Sequence, residues 1–316
     1  MERVSFAKGK GRLMADMPQV GPWAKEKLDA LQRYLDFYTK VLKNQPWRTI
    51  YLDAYAGGSK AVVRPGKSIA SGSRGLFDRE GPIDTEVQEL VDGSPRVALG
   101  VVNPFDEYVF IDPDQNRINE LELLKQEFEN SRAVNILQTT AAEGIDWVVA
   151  QAISRRTHRG IAFLDPFGAD LDWSSIKKLA ATGLFEVVIN FTLNMAIQRM
   201  LPNSGAVPEA WAKKLDSYFG SRVWFEKAYQ RREGELFITD GFIKRQDYLE
   251  RLLEHYCSEL CSAFGYVSTP RLIRNTRGNP LYYLLWAGSN KKGLEGADYI
   301  LKMGERFHSK NRKVIK

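Results

Sequence analysis

The chain has 316 residues, of which 44% are hydrophobic and 27% charged, with a formal net charge of +6. That balance supports a sizeable core and excludes a chain disordered throughout. No apolar run reaches bilayer-spanning length, the first twelve residues lack the apolar stretch of a secretory signal, and two cysteines are too few for a secreted disulfide framework, so a reducing, cytoplasmic setting away from the membrane is expected.

Residues 1–20 hold four basic side chains among scattered glycines and read as a flexible arm. From Trp23 onward, Leu28, Leu31, Leu35, Tyr38 and Leu42 recur at spacings of three and four, which marks one face of a helix that Pro46 closes. Residues 48–55 (R-T-I-Y-L-D-A-Y) form a short apolar strand ending near Asp53. Residues 60–92 are rich in glycine, serine and charge without a period. They read as a long loop insertion, of the kind that serves as a lid. Gly93-Ser94-Pro95 restarts a helix, with Ser94 as its cap. Strands follow at 108–111, 134–137, 160–164 and 186–191, separated by helices at 115–130, 141–154 and 174–181.

Five near-continuous apolar strands alternating with helices predict an α/β fold. Its core is a doubly wound, mostly parallel, Rossmann-like sheet covered on both faces. A helical, aromatic-rich insertion at 195–240 and a long helix at 242–264 come next. Two β-like runs, 266–273 and 281–287, flank the turn Arg277-Gly278-Asn279-Pro280 and predict an antiparallel hairpin. The expected division is an arm and helix over 1–47 and one α/β domain over 48–316. The end of the chain is basic, with eight Lys/Arg against three acids over 291–316, a candidate phosphate-contacting segment.

Ligands of open α/β sheets sit beyond the carboxyl ends of the strands, where the strand order reverses. Three strings occupy such ends. In D-A-Y-A-G-G-S, Asp53 can accept from an ammonium group, and Gly57 and Gly58 let the backbone approach a ligand; Tyr55 lies in the same string. In F-I-D-P-D, Asp112 can take the two hydroxyls of a ribose, with Asp114 its competitor. In F-L-D-P-F-G, Asp165 can accept from a base's amino group, Pro166 exposes a carbonyl without an N–H, and Phe167 can stack on a ring. Asn190, Asn194 and Arg199, beyond the fifth strand, are candidates for the substrate side. No zinc site is expected from Cys257 and Cys261 at i, i+4 with only three histidines, and buried thiols are the expectation there. Neither G-x-x-x-x-G-K-[ST] nor G-x-S-x-G occurs.

Taken in order, Y-L-D-A-Y-A-G-G, G-S-P-R-V-A-L, F-I-D-P-D, F-L-D-P-F-G, V-V-I-N-F-T-L-N-M-A-I-Q-R and P-L-Y-Y-L-L-W-A resemble the three-Cys-motif partner proteins, whose fold is like that of class I methyltransferases. The resemblance implies a protein partner that itself carries the three-cysteine motif, and S-adenosylmethionine as cofactor. D-P-F-G is also similar to the catalytic motif of tRNA guanine-N2 methyltransferases. By that likeness Asp165, Pro166 and Phe167 form the substrate-amine site, Asp53, Gly57 and Gly58 hold the methionine end, and Asp112 the ribose. Thr140 stands where many methyltransferases place an acid for the adenine amine, with Glu143 slightly later. The expected function is N-methylation of a nucleobase or nucleic acid. A non-catalytic partner role and a metal-dependent nuclease or hydrolase are the alternatives.

Overall fold

The computed structural model describes residues 19–58, 60–63, 89–128, 132–151, 154–232 and 241–311. The first half of the fold runs β1 (Gln19–Val20), α1 (Pro22–Leu42), β2 (Arg48–Asp53), β3 (Lys60–Val63), β4 (Glu89–Asp92), α2 (Ser94–Leu99), β5 (Glu107–Ile111), α3 (Gln115–Phe128), β6 (Val134–Leu137), α4 (Ala141–Ala150), β7 (His158–Leu164), α5 (Trp173–Thr182) and β8 (Phe185–Phe191). A 3-10 turn (Ile197–Met200), α6 (Glu209–Phe219), α7 (Val223–Ala228), β9 (Tyr229–Arg231), β10 (Phe242–Lys244), α8 (Tyr248–Phe264), β11 (Tyr266–Val267), β12 (Arg271–Arg274), β13 (Pro280–Gly288) and α9 (Lys291–Asn311) complete it. Among the described residues, no helix is long and apolar enough to cross a membrane.

The main sheet has the order β6-β5-β2-β7-β8-β13, and β11 and β12 lie one after the other along the outer edge of β13. Strands β2, β5, β6, β7 and β8 are parallel, whereas β13 is antiparallel to β8 and β12 antiparallel to β13. The chain starts in the middle at β2, winds outward through β5 to β6, then crosses back to β7 and β8. The winding therefore reverses between β2 and β7, the place beyond the strand ends where ligands of such sheets sit. This is the expected doubly wound sheet with an antiparallel C-terminal hairpin.

The period of two along a strand assigns its side chains to two cores. Leu52, Ile111, Leu164 and Ile189 face one core, built with α4 to α8. Tyr51, Phe110, Phe163 and Val188 face the other, built with α1, α2, α3 and α9. Two residues further on, the second series continues into Asp53, Asp112, Asp165 and Asn190. Four polar side chains thus leave the strand ends on the face that α1 covers. At the sheet centre Ile189 is fully buried. Ile189→Val should cost about 1 kcal/mol by chemical denaturation, the loss of one buried methyl.

Several element boundaries differ from the sequence expectation. The ends of the 60–92 loop are strands: β3 pairs antiparallel with β4 and parallel with β1, so a small ribbon stands beside the main sheet. The rest of that loop, and most of the N-terminal arm, lie outside the described residues. The helix expected over 242–264 is split, because Phe242, Ile243 and Lys244 pair with Arg231, Gln230 and Tyr229 before α8 begins. There the Lys244 N–H donates to the Asn203 carbonyl at 3.1 Å and the Arg245 N–H to the Ala228 carbonyl at 2.9 Å, a tertiary pull that overrides local helix preference. The strand expected over 266–273 breaks into β11 and β12 around Thr269-Pro270, since proline has no N–H to donate to the ladder. Cys257 is half-buried and Cys261 exposed, against the expectation of buried thiols, because the apolar stripe of α8 runs through Leu252, Tyr256, Leu260 and Phe264.

Candidate functional site

The segment after β2 lies across the sheet rim. The Ala54 N–H donates to the Phe163 carbonyl at 3.2 Å, on β7, and the Ala56 N–H to the Ile111 carbonyl at 3.0 Å, on β5. Gly57 follows at φ +64, in the left-handed region that favours glycine. A Cβ on Gly58 would come within 2.5 Å of a Glu120 carboxylate oxygen. Gly57 is therefore needed for the backbone to take this path, while a side chain at Gly58 would have to displace the Glu120 carboxylate.

Asp53 ends β2 with no exposed surface. Its carboxylate accepts from the Tyr51 hydroxyl and the Tyr55 N–H, both at 3.3 Å, and from the Ser94 hydroxyl. Burial pushes its pKa up to about 7, and the nearby Asp165 adds to the rise; the three donors pull the other way without prevailing. Ser94 is the first residue of α2 and Gly93 the cap, so the serine hydroxyl serves Asp53 instead of capping the helix as expected. Tyr55 turns its own hydroxyl away, to the Asp170 carbonyl at 2.9 Å.

Asp112 is 1% exposed. It accepts from the Gly57 N–H at 3.0 Å, the Asp114 N–H at 2.9 Å and the Arg117 guanidinium at 3.2 Å. Its competitor Asp114 instead takes the N–H groups of Asn116 and Arg117, the first donors of α3. Thr140 caps α4 in a reciprocal box with Glu143. Thr140→Ala should cost about 1 kcal/mol of stability, read by thermal denaturation.

Asp165 follows β7. One carboxylate oxygen is paired with the Lys27 ammonium, and the other accepts from the Asn190 amide at 2.6 Å. The Asn190 carbonyl oxygen is itself buried and has no hydrogen-bond partner. Pro166 is buried, whereas Phe167 is 60% exposed with the Arg117 guanidinium 4.7 Å above its ring. Arg117 therefore links Asp112 to the exposed ring at the rim. Asn194 is half-buried with an unpartnered carbonyl oxygen, and Arg199 is exposed on the 3-10 turn.

The structure thus gathers Asp53, Gly57, Gly58, Asp112, Asp165 and Asn190 at one rim. It leaves Thr140 engaged as a cap and Arg199 in solvent. Sequence reasoning missed Lys27, Ser94, Arg117 and Arg271. Signals for two of them existed. Lys27 stands four residues before buried Leu31 and seven before Tyr34, in line with the apolar stripe of α1. Arg271 alternates with fully buried Ile273 on β12. Among the described residues, no group of three or more His, Cys, Asp or Glu is placed to hold a metal ion.

Strand order and rim together define an α/β protein of the doubly wound, mostly parallel class. No family model and no curated protein matches the chain. Among solved structures it is similar to protein LPL1258 from Legionella pneumophila, at 13% identity over 83% of this chain and 97% of that one, with a TM-score of 0.40. It is also similar to the candidate methyltransferase yhhF from Escherichia coli, at 13% identity over 67% of this chain and 83% of that one, TM-score 0.30. A third is the candidate methylase HI0767 from Haemophilus influenzae, at 10% identity over 66% of this chain and 85% of that one, TM-score 0.29.

Proposed function

We propose that this chain is an S-adenosylmethionine-dependent N-methyltransferase acting on an exocyclic amine of a nucleobase or nucleic acid. The observation that carries the reading is a carboxylate at the end of β7 that already holds an amine. Asp165 already holds an amine, that of Lys27, and its other oxygen accepts from the amide of Asn190, whose own carbonyl oxygen is buried without a partner. An exocyclic amino group, a donor like the Lys27 ammonium, can take that place on the carboxylate.

The residues at the neighbouring strand ends fit the cofactor in kind. Asp53 would hold the ammonium of its methionine end, the Gly57-Gly58 backbone would lie along it, and Asp112 would take the ribose hydroxyls. When bound, the cofactor supplies a methyl group on a sulfonium. The chain's own residues do the rest by positioning. Asp165 and Asn190 fix the amine so that its lone pair is aimed, and Asp165 can take the proton that the amine gives up. Phe167, exposed at the rim under Arg117, offers a face on which a base can stack.

Calorimetry with S-adenosylmethionine and its demethylated product, followed by transfer of labelled methyl to RNA and DNA, tests the reading. Binding of either ligand and label on a base are expected; no binding by either would remove it.

A second reading has its own observation. Asp53 and Asp112 are almost wholly buried and satisfied by internal donors, as in a site closed for good. On that reading the chain is a specificity subunit for a protein with the three-Cys motif. Co-purification with such a protein, with the joint activity surviving Asp165→Ala, would favour it.

A further inference from the structure

We propose that the substrate carries an oxyanion, the phosphate of a nucleotide, next to its amine, that Arg271 receives it, and that Glu26 and Lys27 of α1 occupy both places in the structure described. The inference deepens the transfer reading and rests on its assignment of Asp165 as the amine site.

Glu26 and Lys27 are consecutive residues with opposite charges, and both reach down to the sheet. The Lys27 ammonium lies on Asp165. The Glu26 carboxylate accepts from the Arg271 guanidinium at 2.6 Å. The two receptors belong to one row: Asn190 is in register with Leu284, and Leu284 with Arg271, so the three side chains share the face under α1. Tyr282 joins them. Its ring centroid is 5.7 Å from the Lys27 nitrogen, and its hydroxyl senses the charges of Asp165, Glu26 and Arg271 together. One helical turn thus presents an amine and an oxyanion side by side to an acceptor pair and a guanidinium.

Arg271 is over-equipped for that contact. It is 2% exposed, yet its Nε and one Nη find no hydrogen-bond partner. A guanidinium has five N–H donors in a planar fork, and buried donors left idle are costly. Nearby Arg33 adds positive charge, enough for Arg271 to depress its pKa after burial has done so. A carboxylate bound through one oxygen is a poor match for such a site. A phosphate, with three oxygens, can use the idle donors as well. Departure of the first two turns of α1 would uncover Asp165 and Arg271 at once. Those turns follow directly on β1, which is anchored to the small ribbon and not to the main sheet.

The test compares a nucleoside monophosphate with its nucleoside on the full chain. Guanosine and adenosine monophosphates should bind by calorimetry about tenfold or more tighter than guanosine and adenosine. Glu26→Gln with Lys27→Gln should tighten binding further, since a competing internal ligand reduces apparent affinity by the fraction of open molecules. In the unaltered chain, backbone amides of residues 22–30 should exchange hydrogen faster with the monophosphate present and not with the nucleoside. Arg271→Gln should abolish the discrimination. Equal binding of nucleoside and monophosphate, no binding of either, or exchange in α1 that does not respond would overturn the proposal. So would base methylation that is insensitive to Arg271→Gln, which leaves the transfer reading standing. Failure of S-adenosylmethionine to bind removes the transfer reading alone, because the nucleotide comparison needs no cofactor.

Discussion

On the proposed function, Asp165→Asn is expected to slow methyl transfer by about 10²–10⁴-fold while S-adenosylmethionine affinity changes little. The substitution keeps the shape and can keep an acceptor for the Asn190 amide, now 2.6 Å from the carboxylate. It removes the negative charge that draws an amine in, and the group that takes its proton. Measured at pH 8, where Asp53 is largely ionised with or without the Asp165 charge, cofactor affinity should hold, because Asp53 and Asp112 are hydrogen-bonded within the rim and not to Asp165. Single-turnover transfer of labelled methyl gives the rate, and calorimetry gives the affinity. A parallel fall in both would mean that Asp165 supports the cofactor site. An unchanged rate would move catalysis elsewhere.

Asp53→Asn is expected to flatten the pH dependence of stability. The Asp53 pKa stands at about 7 in the folded chain, raised from 3.8 mainly by burial. A rise of that size corresponds to roughly 4 kcal/mol. The sign follows from proton counting. Between pH 4 and 7 the folded state holds a proton that the unfolded state has lost, so stability falls as pH rises through this window. Urea unfolding at pH 5 and pH 8 should show the native chain losing about 3 kcal/mol from this group. The Asp53→Asn variant should lack that loss and be the more stable protein at pH 8. An equal effect of the substitution at both pH values would place the ordinary carboxylate pKa at Asp53. On the proposed function the same titration governs the cofactor, because its ammonium needs the ionised form of Asp53. Cofactor affinity should therefore rise between pH 6 and pH 8.

The buried Arg271 and the partnered Lys27 also explain why α1 lies where it does. Its apolar stripe packs in the core beneath it, and the two ion pairs join its second turn to the rim. Charged pairs of this kind add little net stability once desolvation is counted, although breaking one leaves a costly buried charge. They act as a register, and registers can be read by a competing ligand.

The sequence by itself determined the alternation of strands and helices, the winding of the sheet and the rim on which the acids meet. Runs such as 107–111 and 185–191 are apolar on both faces, and their period of two carries directly into Asp112 and Asn190. Elements held by remote partners were another matter. The strands β3, β4 and β10 have no apolar period of their own and exist only because another strand lies alongside. The occupants of the site were equally hidden. Lys27 and Asp165 are 138 residues apart, and Glu26 and Arg271 are 245 apart. Local pattern reports which face a side chain takes, because that depends on backbone geometry within a few residues. Which charge it meets there depends on how distant helices cross the sheet, and only the packed chain decides that.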